Sequence, residues 1–489
     1  MMQRSRREEC LRVLRDVFHV EAFRPGQEQT VEALLDSRDV LCTLPTGAGK
    51  SLCYQLPAVM LDGWTLVASP LLALMRDQVL KLRMMGIPAA MISSDVPPEE
   101  QADILNAVRR GRLRVLFVSP ERIAQARFAD WVRACPPRLL VVDEAHCVVR
   151  WGETFRPSYQ AIGPFAASLP ERPVVCAMTA TADGKLAREI IRSLAMRRPR
   201  HVMLAVLREN LNYRVIGTAN RAQTLERIVR MHHGERMIIY CTARSRTEQL
   251  ARMLQEAGVS AACYHAGMET ARREAVQHAF TQGETKVIAA TIAFGMGVDV
   301  PDVRCIVHDG LPESVIDYVQ QTGRAGRDGK PAECVTLLSP EALLERNRRL
   351  HAQKRDARGD WRKEIRYLRA RRETMQLLRL LMGGGCIRQG ISRAFDQRSE
   401  ACGACSACTT AVTGDVPPIA AMTGTALLQW ILRHAREQLA KERGVSPRAV
   451  ASDEALRRMA TAGCILSDMR LDERTNDVFA QILASFRHA

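Results

Sequence analysis

The sequence predicts an α/β protein: two tandem domains on parallel sheets, then a helical metal-binding element and a small helical C-terminal domain. Three observations carry this. Short continuous apolar runs alternate with helical segments in two successive series. A Gly-rich loop of phosphate-binding type comes after the first run, and four cysteines at metal-ligand spacing come after the second series. A chain of 489 residues is long enough for three or four domains with their own cores.

In the first series, residues 40–44, 65–68, 115–118, 139–142 and 174–177 read as strands buried on both faces, because they are unbroken apolar runs rather than alternating ones. The second series, 237–240, 261–264, 287–290, 305–308 and 334–338, repeats the pattern, with a connector near residues 208–213. The expected domains are therefore 1–207 and 208–340, then a helical metal-binding element over 341–408. A linker over 409–423 contains Gly414 and Pro417-Pro418, and a helical domain occupies 424–489. In that last domain Leu428, Ile431, Leu432, Ala435 and Leu439 form a helical stripe, and Gly444 and Pro447 punctuate the chain beyond it.

The chemistry begins at Thr46-Gly47-Ala48-Gly49-Lys50-Ser51. Such a loop offers backbone N–H groups and a helix N-terminus to phosphates, with Lys50 reaching the β/γ-phosphates and Ser51 Oγ on Mg²⁺. Leu44 stands where the full phosphate-loop spacing has Gly. A second run ends in Asp143-Glu144, at the strand end where α/β ligands bind. Asp143 is the candidate Mg²⁺ ligand and Glu144 the group that orients and deprotonates the attacking water. Gln320-Gln321-Thr322-Gly323-Arg324-Ala325-Gly326-Arg327 places two arginines on adjacent turns of the second domain, suited to act as arginine fingers toward an NTP.

The partner is bounded by charge. Seventy Lys and Arg against 54 Asp and Glu give a net +16, which points to a polyanion. No run approaches 18 apolar residues and residues 1–10 have no apolar core, so neither a transmembrane helix nor a signal peptide is expected. Fifteen cysteines then imply a reducing, cytoplasmic setting with thiols and metal ligands rather than disulfides. Cys386, Cys402, Cys405 and Cys408 suit structural Zn²⁺, with an iron–sulfur cluster as the second metal reading. The segment 346–372 is dense in Arg and Lys with Trp361 and Tyr367 interspersed, which reads as a helical hairpin on phosphates or as a solvated helix face.

These motifs resemble the RecQ helicases of helicase superfamily 2 over residues 15–408. Phe23-Arg24-Pro25-Gly26-Gln27 is similar to motif 0, the segment 44–57 to motif I, 69–78 to motif Ia, and Val118-Ser119-Pro120-Glu121-Arg122 to motif Ib. Asp143, Glu144 and His146 match motif II, and Met178-Thr179-Ala180-Thr181-Ala182 resembles motif III. Tyr264-His265-Ala266-Gly267, Ala293-Phe294-Gly295-Met296-Gly297 and the two-arginine segment match the second domain. The resemblance implies two RecA-like domains and ATP-dependent, 3′-to-5′ translocation on DNA in repair and recombination. Arg24, Gln27, Thr46, Gly47, Gly49, Lys50, Ser51 and Gln321 would hold ATP. Ser69, Pro70, Arg76 and Thr291 would meet single-stranded DNA.

The same resemblance makes His146 the link to DNA through an aromatic loop, residues 150–159, with Trp151, Phe155 and Arg156 as its contacts. Glu153 stands where the family has histidine, and Val20 where it has an aromatic that stacks on adenine. The cysteine cluster resembles the RecQ zinc-binding element, and the C-terminal domain the helicase-and-RNase-D C-terminal domain. No winged-helix domain fits between Cys408 and residue 424. The expected substrates are single-stranded and tailed duplex DNA, and the expected protein partners single-strand-binding or recombination proteins. Two rival classes stand beside this reading, an RNA helicase and a DNA-binding recombination regulator with little unwinding.

Overall fold

The computed structural model describes residues 4–45, 47–70, 72–93, 96–148, 157–218, 220–295, 300–409, 424–462, 465, 469 and 471–486. They form two compact units, Met1–Arg208 with Ala394–Gln397, and Glu209–Gly295 with Val300–Arg393 and Arg398–Ala489.

The first unit is built on strands β1 (Val40–Thr43), β2 (Thr65–Ala68), β3 (Ala89–Ile92), β4 (Val115–Val118), β5 (Leu139–Val142), β6 (Val174–Thr179) and β7 (Arg200–Met203). They form one sheet in the order β3-β4-β2-β5-β6-β1-β7, parallel at every pairing. Every residue of β1, β2, β4, β5 and β6 is buried, which is why these strands read as unbroken apolar runs. Because all strands point the same way, the turns after β1, β2, β5 and β6 lie along one edge, where functional groups gather in such sheets. At the other end, buried Asp39 is fully engaged: Arg172 donates to it at 2.7 and 3.1 Å, and the N–H groups of Val175 and Arg197 at 2.9 and 2.6 Å.

The second unit repeats the plan with β8 (Leu211–Gly217), β9 (Arg236–Tyr240), β10 (Ala261–Tyr264), β11 (Val287–Ala290), β12 (Val303–His308) and β13 (Ala332–Leu338). The order is β10-β11-β9-β12-β13-β8, again all parallel. Much of the expected connector is therefore strand: β8 pairs with β13 over seven residues, from Leu211 to Gly217. Its half-buried alternation hides it from a search for unbroken apolar runs.

His308 on β12 is fully buried against Tyr240 and Tyr318, and its Nε2 donates to Gln321 Oε1 at 2.9 Å. Burial pushes its imidazole down to about 4. Below pH ~6.5 the unfolded chain takes up this proton first, so stability is full above that pH and falls as pH drops toward about 4. The expected loss is at most about 3 kcal/mol, read from thermal unfolding across this window, and His308→Leu should flatten the dependence.

After β13, Ser339 Oγ caps the helix Pro340–Asp356 by accepting from Ala342 N–H at 3.1 Å, with Pro340 at the first helical position. A turn through Gly359, φ +80°, returns the chain into the helix Trp361–Met382. Helices Gly424–Arg443, Asp453–Ala462 and Glu473–Phe486 pack together near the chain end. The stripe expected there, Leu428, Ile431, Leu432, Ala435 and Leu439, is buried, with Leu456, Met459 and Phe479 opposite. Buried Arg436 donates from Nη1 to Asp453 at 2.7 Å and to the Ala451 carbonyl at 3.1 Å. No helix among the described residues is long and apolar enough to cross a membrane.

Candidate active site

The loop after β1 leads into the helix Leu52–Met60 through two left-handed glycines, Gly47 at φ +86° and Gly49 at φ +74°. A Cβ at position 49 would lie 2.6 Å from Gln27 Nε2, so this backbone excludes larger residues on both torsion and contact. The close approach has a purpose. Gln27 Nε2 donates to the carbonyls of Gly49 and Ala48 at 2.9 and 3.2 Å, and its Oε1 accepts from Arg24 N–H at 2.8 Å. Arg24 Nη1 reaches the Gly47 carbonyl at 2.9 Å. Arg24 and Gln27 thus brace the loop itself. Lys50 Nζ donates to the carbonyls of Leu44 and Pro45 at 3.1 and 3.5 Å. Leu44, the departure from the strict spacing, is fully buried and fills the space beside Gly26.

The two acids come directly after β5. Asp143 N–H continues the sheet to the Ala68 carbonyl at 2.9 Å. Its Oδ1 accepts from Glu144 N–H at 2.9 Å, and its Oδ2 from Ser69 Oγ at 3.3 Å. Burial first, then the neighbouring Glu144, pushes the Asp143 carboxyl up to about 6, with Lys50 opposing. A buried carboxylate held against its own charge is a site that a divalent cation would stabilise. With the Ser51 hydroxyl it supplies hard oxygen donors of the kind Mg²⁺ takes. Glu144 sits at φ +47°, a left-handed conformation that costs a non-glycine residue about 1 kcal/mol or more and recurs at functional positions.

Buried His146 lies just beyond the acids. Its Nδ1 is 3.2 Å from Thr179 Oγ1 and 3.3 Å from Glu144 Oε2. Thr179 spends its own hydroxyl proton on the Thr181 carbonyl at 3.1 Å, so it accepts here and Nδ1 carries the hydrogen. The acids are thereby joined to the end of β6, which lies between β5 and β1. Tyr159, fully buried on the short helix Pro157–Gln160, donates its hydroxyl to the Asp143 carbonyl at 3.0 Å.

Of the candidates in the first unit, Arg24, Gln27, Gly47 and Gly49 form one bonded set, beside which Lys50 donates to the carbonyls at the start of the loop; Ser69, Asp143, Glu144 and His146 form another. Ser51 opens the helix after the loop. Ser69 is turned toward Asp143 and Pro70 is buried, whereas Arg76 is exposed on the helix Leu72–Met84. Thr46, Trp151, Phe155 and Arg156 lie outside the described residues. In the second unit, Arg324 Nη1 donates to the Gly295 carbonyl, and Gly295 at φ +116° has no room for a Cβ against that guanidinium. Arg327 is half-buried. Gln321 is buried on His308. Thr291 sits just past β11, its N–H on the Tyr264 carbonyl at 3.1 Å. The sequence places Thr179 in the stretch that resembles motif III but does not reveal its bond to His146, nor that Tyr159 is part of this site. Tyr159 reads there only as one aromatic among several, and its polar tip is the signal that could have found it.

The four cysteines converge in the second unit. Their Sγ atoms all lie within 4.8 Å of one another, with separations of 3.5, 3.6, 4.0 and 4.0 Å. Thiolates on one tetrahedral ion at ~2.3 Å would be about 3.8 Å apart, so the set fits a single metal. Disulfides need ~2.05 Å, and an iron–sulfur cube spreads its thiolates over different irons. N–H groups of Ile387, Cys402 and Cys405 point at the sulfurs at 3.3–3.4 Å, a shell suited to thiolate charge.

Two parallel-sheet units, one carrying a braced phosphate loop and paired acids, the other an arginine pair, define the core architecture of the helicase class. The DEAD/DEAH box helicase family matches residues 24–190 and the helicase conserved C-terminal domain residues 220–329. The HRDC domain matches residues 428–463. The chain belongs to the RecQ family. It is 32% identical over 432 residues to the ATP-dependent DNA helicase RecQ of Bacillus subtilis, covering 88% of this chain and 72% of that protein. To the ATP-dependent DNA helicase RecQ of Haemophilus influenzae it is 43% identical over 331 residues, 68% of this chain and 53% of that one. The chain thus spans little more than half the length of its Haemophilus relative. Among solved structures, the DUF1998 helicase MrfA bound to DNA aligns with a TM-score of 0.59 at 18% identity, covering 68% of this chain and 52% of that one. Dbp5 of Saccharomyces cerevisiae, bound to RNA and ADP BeF3, aligns at 0.56 and 17%, covering 67% and 87%. Both likenesses concern the fold alone.

Proposed function

We propose that the protein is an ATP-driven DNA helicase that moves 3′ to 5′ on single strands and separates tailed duplexes during repair and recombination. The observation that carries this is the bonded chain from Gln27 through the phosphate loop and from Asp143 and Glu144 through His146 to Thr179. It links nucleotide chemistry to the strand end from which a motor would act. Lys50 exchanges its loop carbonyls for the β/γ-phosphates, and Asp143 and Ser51 hold Mg²⁺. Bound Mg²⁺ supplies charge neutralisation at the transferring phosphate. Glu144 takes the proton of the attacking water, Arg324 and Arg327 stabilise the charge that develops, and His146 passes the state of the acids onward. Trp151, Phe155 and Arg156 grip the strand, with Arg76 and Thr291 as further contacts. The four cysteines hold structural Zn²⁺, which serves folding rather than chemistry. The cytoplasm is the setting, and single-strand-binding or recombination proteins are the partners.

The test is ATP hydrolysis with and without single-stranded DNA, and then strand displacement on 3′-tailed, 5′-tailed and blunt duplexes. Stimulation by DNA and displacement from the 3′ tail alone are expected. Absence of DNA stimulation would sink the motor reading, and equal stimulation by RNA would reassign its substrate.

A further inference from the structure

The basic segment 346–372 is not used by the site above, and the structure gives it a definite form. It runs through the helical hairpin Pro340–Asp356 and Trp361–Met382, with Trp361 at the tip. Along the second helix, Trp361, Ile365 and Leu368 recur at i, i+4 and i+7, one stripe, and it faces solvent: they are 65%, 56% and 52% exposed. An amphipathic helix ordinarily turns such a stripe inward. Residues 354–372 also hold nine basic side chains against three acidic. Lys354, Arg355, Arg358, Arg366 and Arg372 are exposed within this field; Lys363 lies 3.3 Å from Asp356 and Arg369 3.0 Å from Glu373.

A large exposed indole in line with two aliphatic side chains, within a cationic field, calls for a ligand with flat apolar faces and a polyanionic backbone. Single-stranded DNA has both. The stripe is about 10 Å long at ~1.5 Å per residue, room for about three nucleotides at ~3.4 Å each. We infer that this hairpin face is a stacking platform for single-stranded DNA: Trp361 stacks a base, Ile365 and Leu368 cover its neighbours, and Arg358, Arg366 and Arg372 hold phosphates. The inference rests on the DNA-motor reading for its ligand, but it is a separate site with its own readout.

The experiment uses the full chain and its Trp361→Ala, Trp361→Phe and Ile365→Ser/Leu368→Ser variants. Fluorescein-labelled oligo-dT reports affinity by anisotropy at fixed salt, and a 2-aminopurine strand reports stacking by quenching. Trp361→Ala should weaken binding about 5- to 100-fold and relieve the quenching, with Trp361→Phe recovering most of both. The double variant should weaken binding less, and DNA-free ATP hydrolysis should be unchanged in all three, which verifies folding. Unchanged affinity and quenching in both Trp361→Ala and the double variant would overturn the platform, as would loss of self-association at unchanged DNA affinity, the mark of a protein-docking face. Binding by the wild-type chain without DNA-stimulated hydrolysis would instead remove the motor reading and leave the platform standing.

Discussion

Glu144→Gln is expected to lower ATP turnover by about 10²–10⁴-fold while leaving nucleotide affinity nearly intact. The substitution keeps the side chain's size and its place beside His146 but removes the group that accepts the water's proton. Lys50→Ala should reduce turnover by about 10²–10³-fold and weaken nucleotide binding as well, because a phosphate contact is lost in both ground and transition states. Phosphate release with and without DNA, paired with binding of a fluorescent nucleotide, separates the two variants. Unchanged turnover in Glu144→Gln would remove this residue from the role of base.

Metal removal should have the largest structural effect. The Cys386, Cys402, Cys405, Cys408 knuckle is tied to the open edge of the second sheet: Ser406 N–H donates to the Tyr213 carbonyl and Val215 N–H to Ser406 Oγ, both at 3.0 Å. β8 is that edge strand. Without a metal the four thiols lose what holds them together, and apparent zinc-binding energies of about 10–16 kcal/mol in small domains show how much folding depends on it. The expected result is one zinc per chain, and on chelation a drop in melting temperature with aggregation through the uncovered strand. Cys405→Ser should behave like the chelated protein. A protein that keeps its melting temperature and solubility after complete metal removal would contradict this.

Much of this is legible in the chain. The ten runs read as strands are strands, because a parallel sheet covered on both faces leaves a mark that depends on nothing distant. Strands β3, β7 and β8, all at sheet edges, escape through their composition: β3 is two alanines with a Met and an Ile, β7 opens on Arg200-His201, and β8 begins by alternating apolar and polar residues. The phosphate loop and the acids are equally plain, since spacing along the chain sets their chemistry. Side-chain direction is not. Ser69 and Gln321 fall in motifs that resemble DNA and nucleotide contacts, yet one faces Asp143 and the other His308. Thr179 meets His146 across 33 positions of sequence and Tyr159 meets Asp143 across 16, a proximity only the folded sheet creates.

His146 and Tyr159 are each bonded at the acid pair, the first through its ring to Glu144 and the second through its hydroxyl to the Asp143 carbonyl. Two separate positions of the chain are therefore fastened to one anchor. A change at either acid would thus be felt at two points of the chain at once, on the turn just after β5 and on the helix that carries Tyr159.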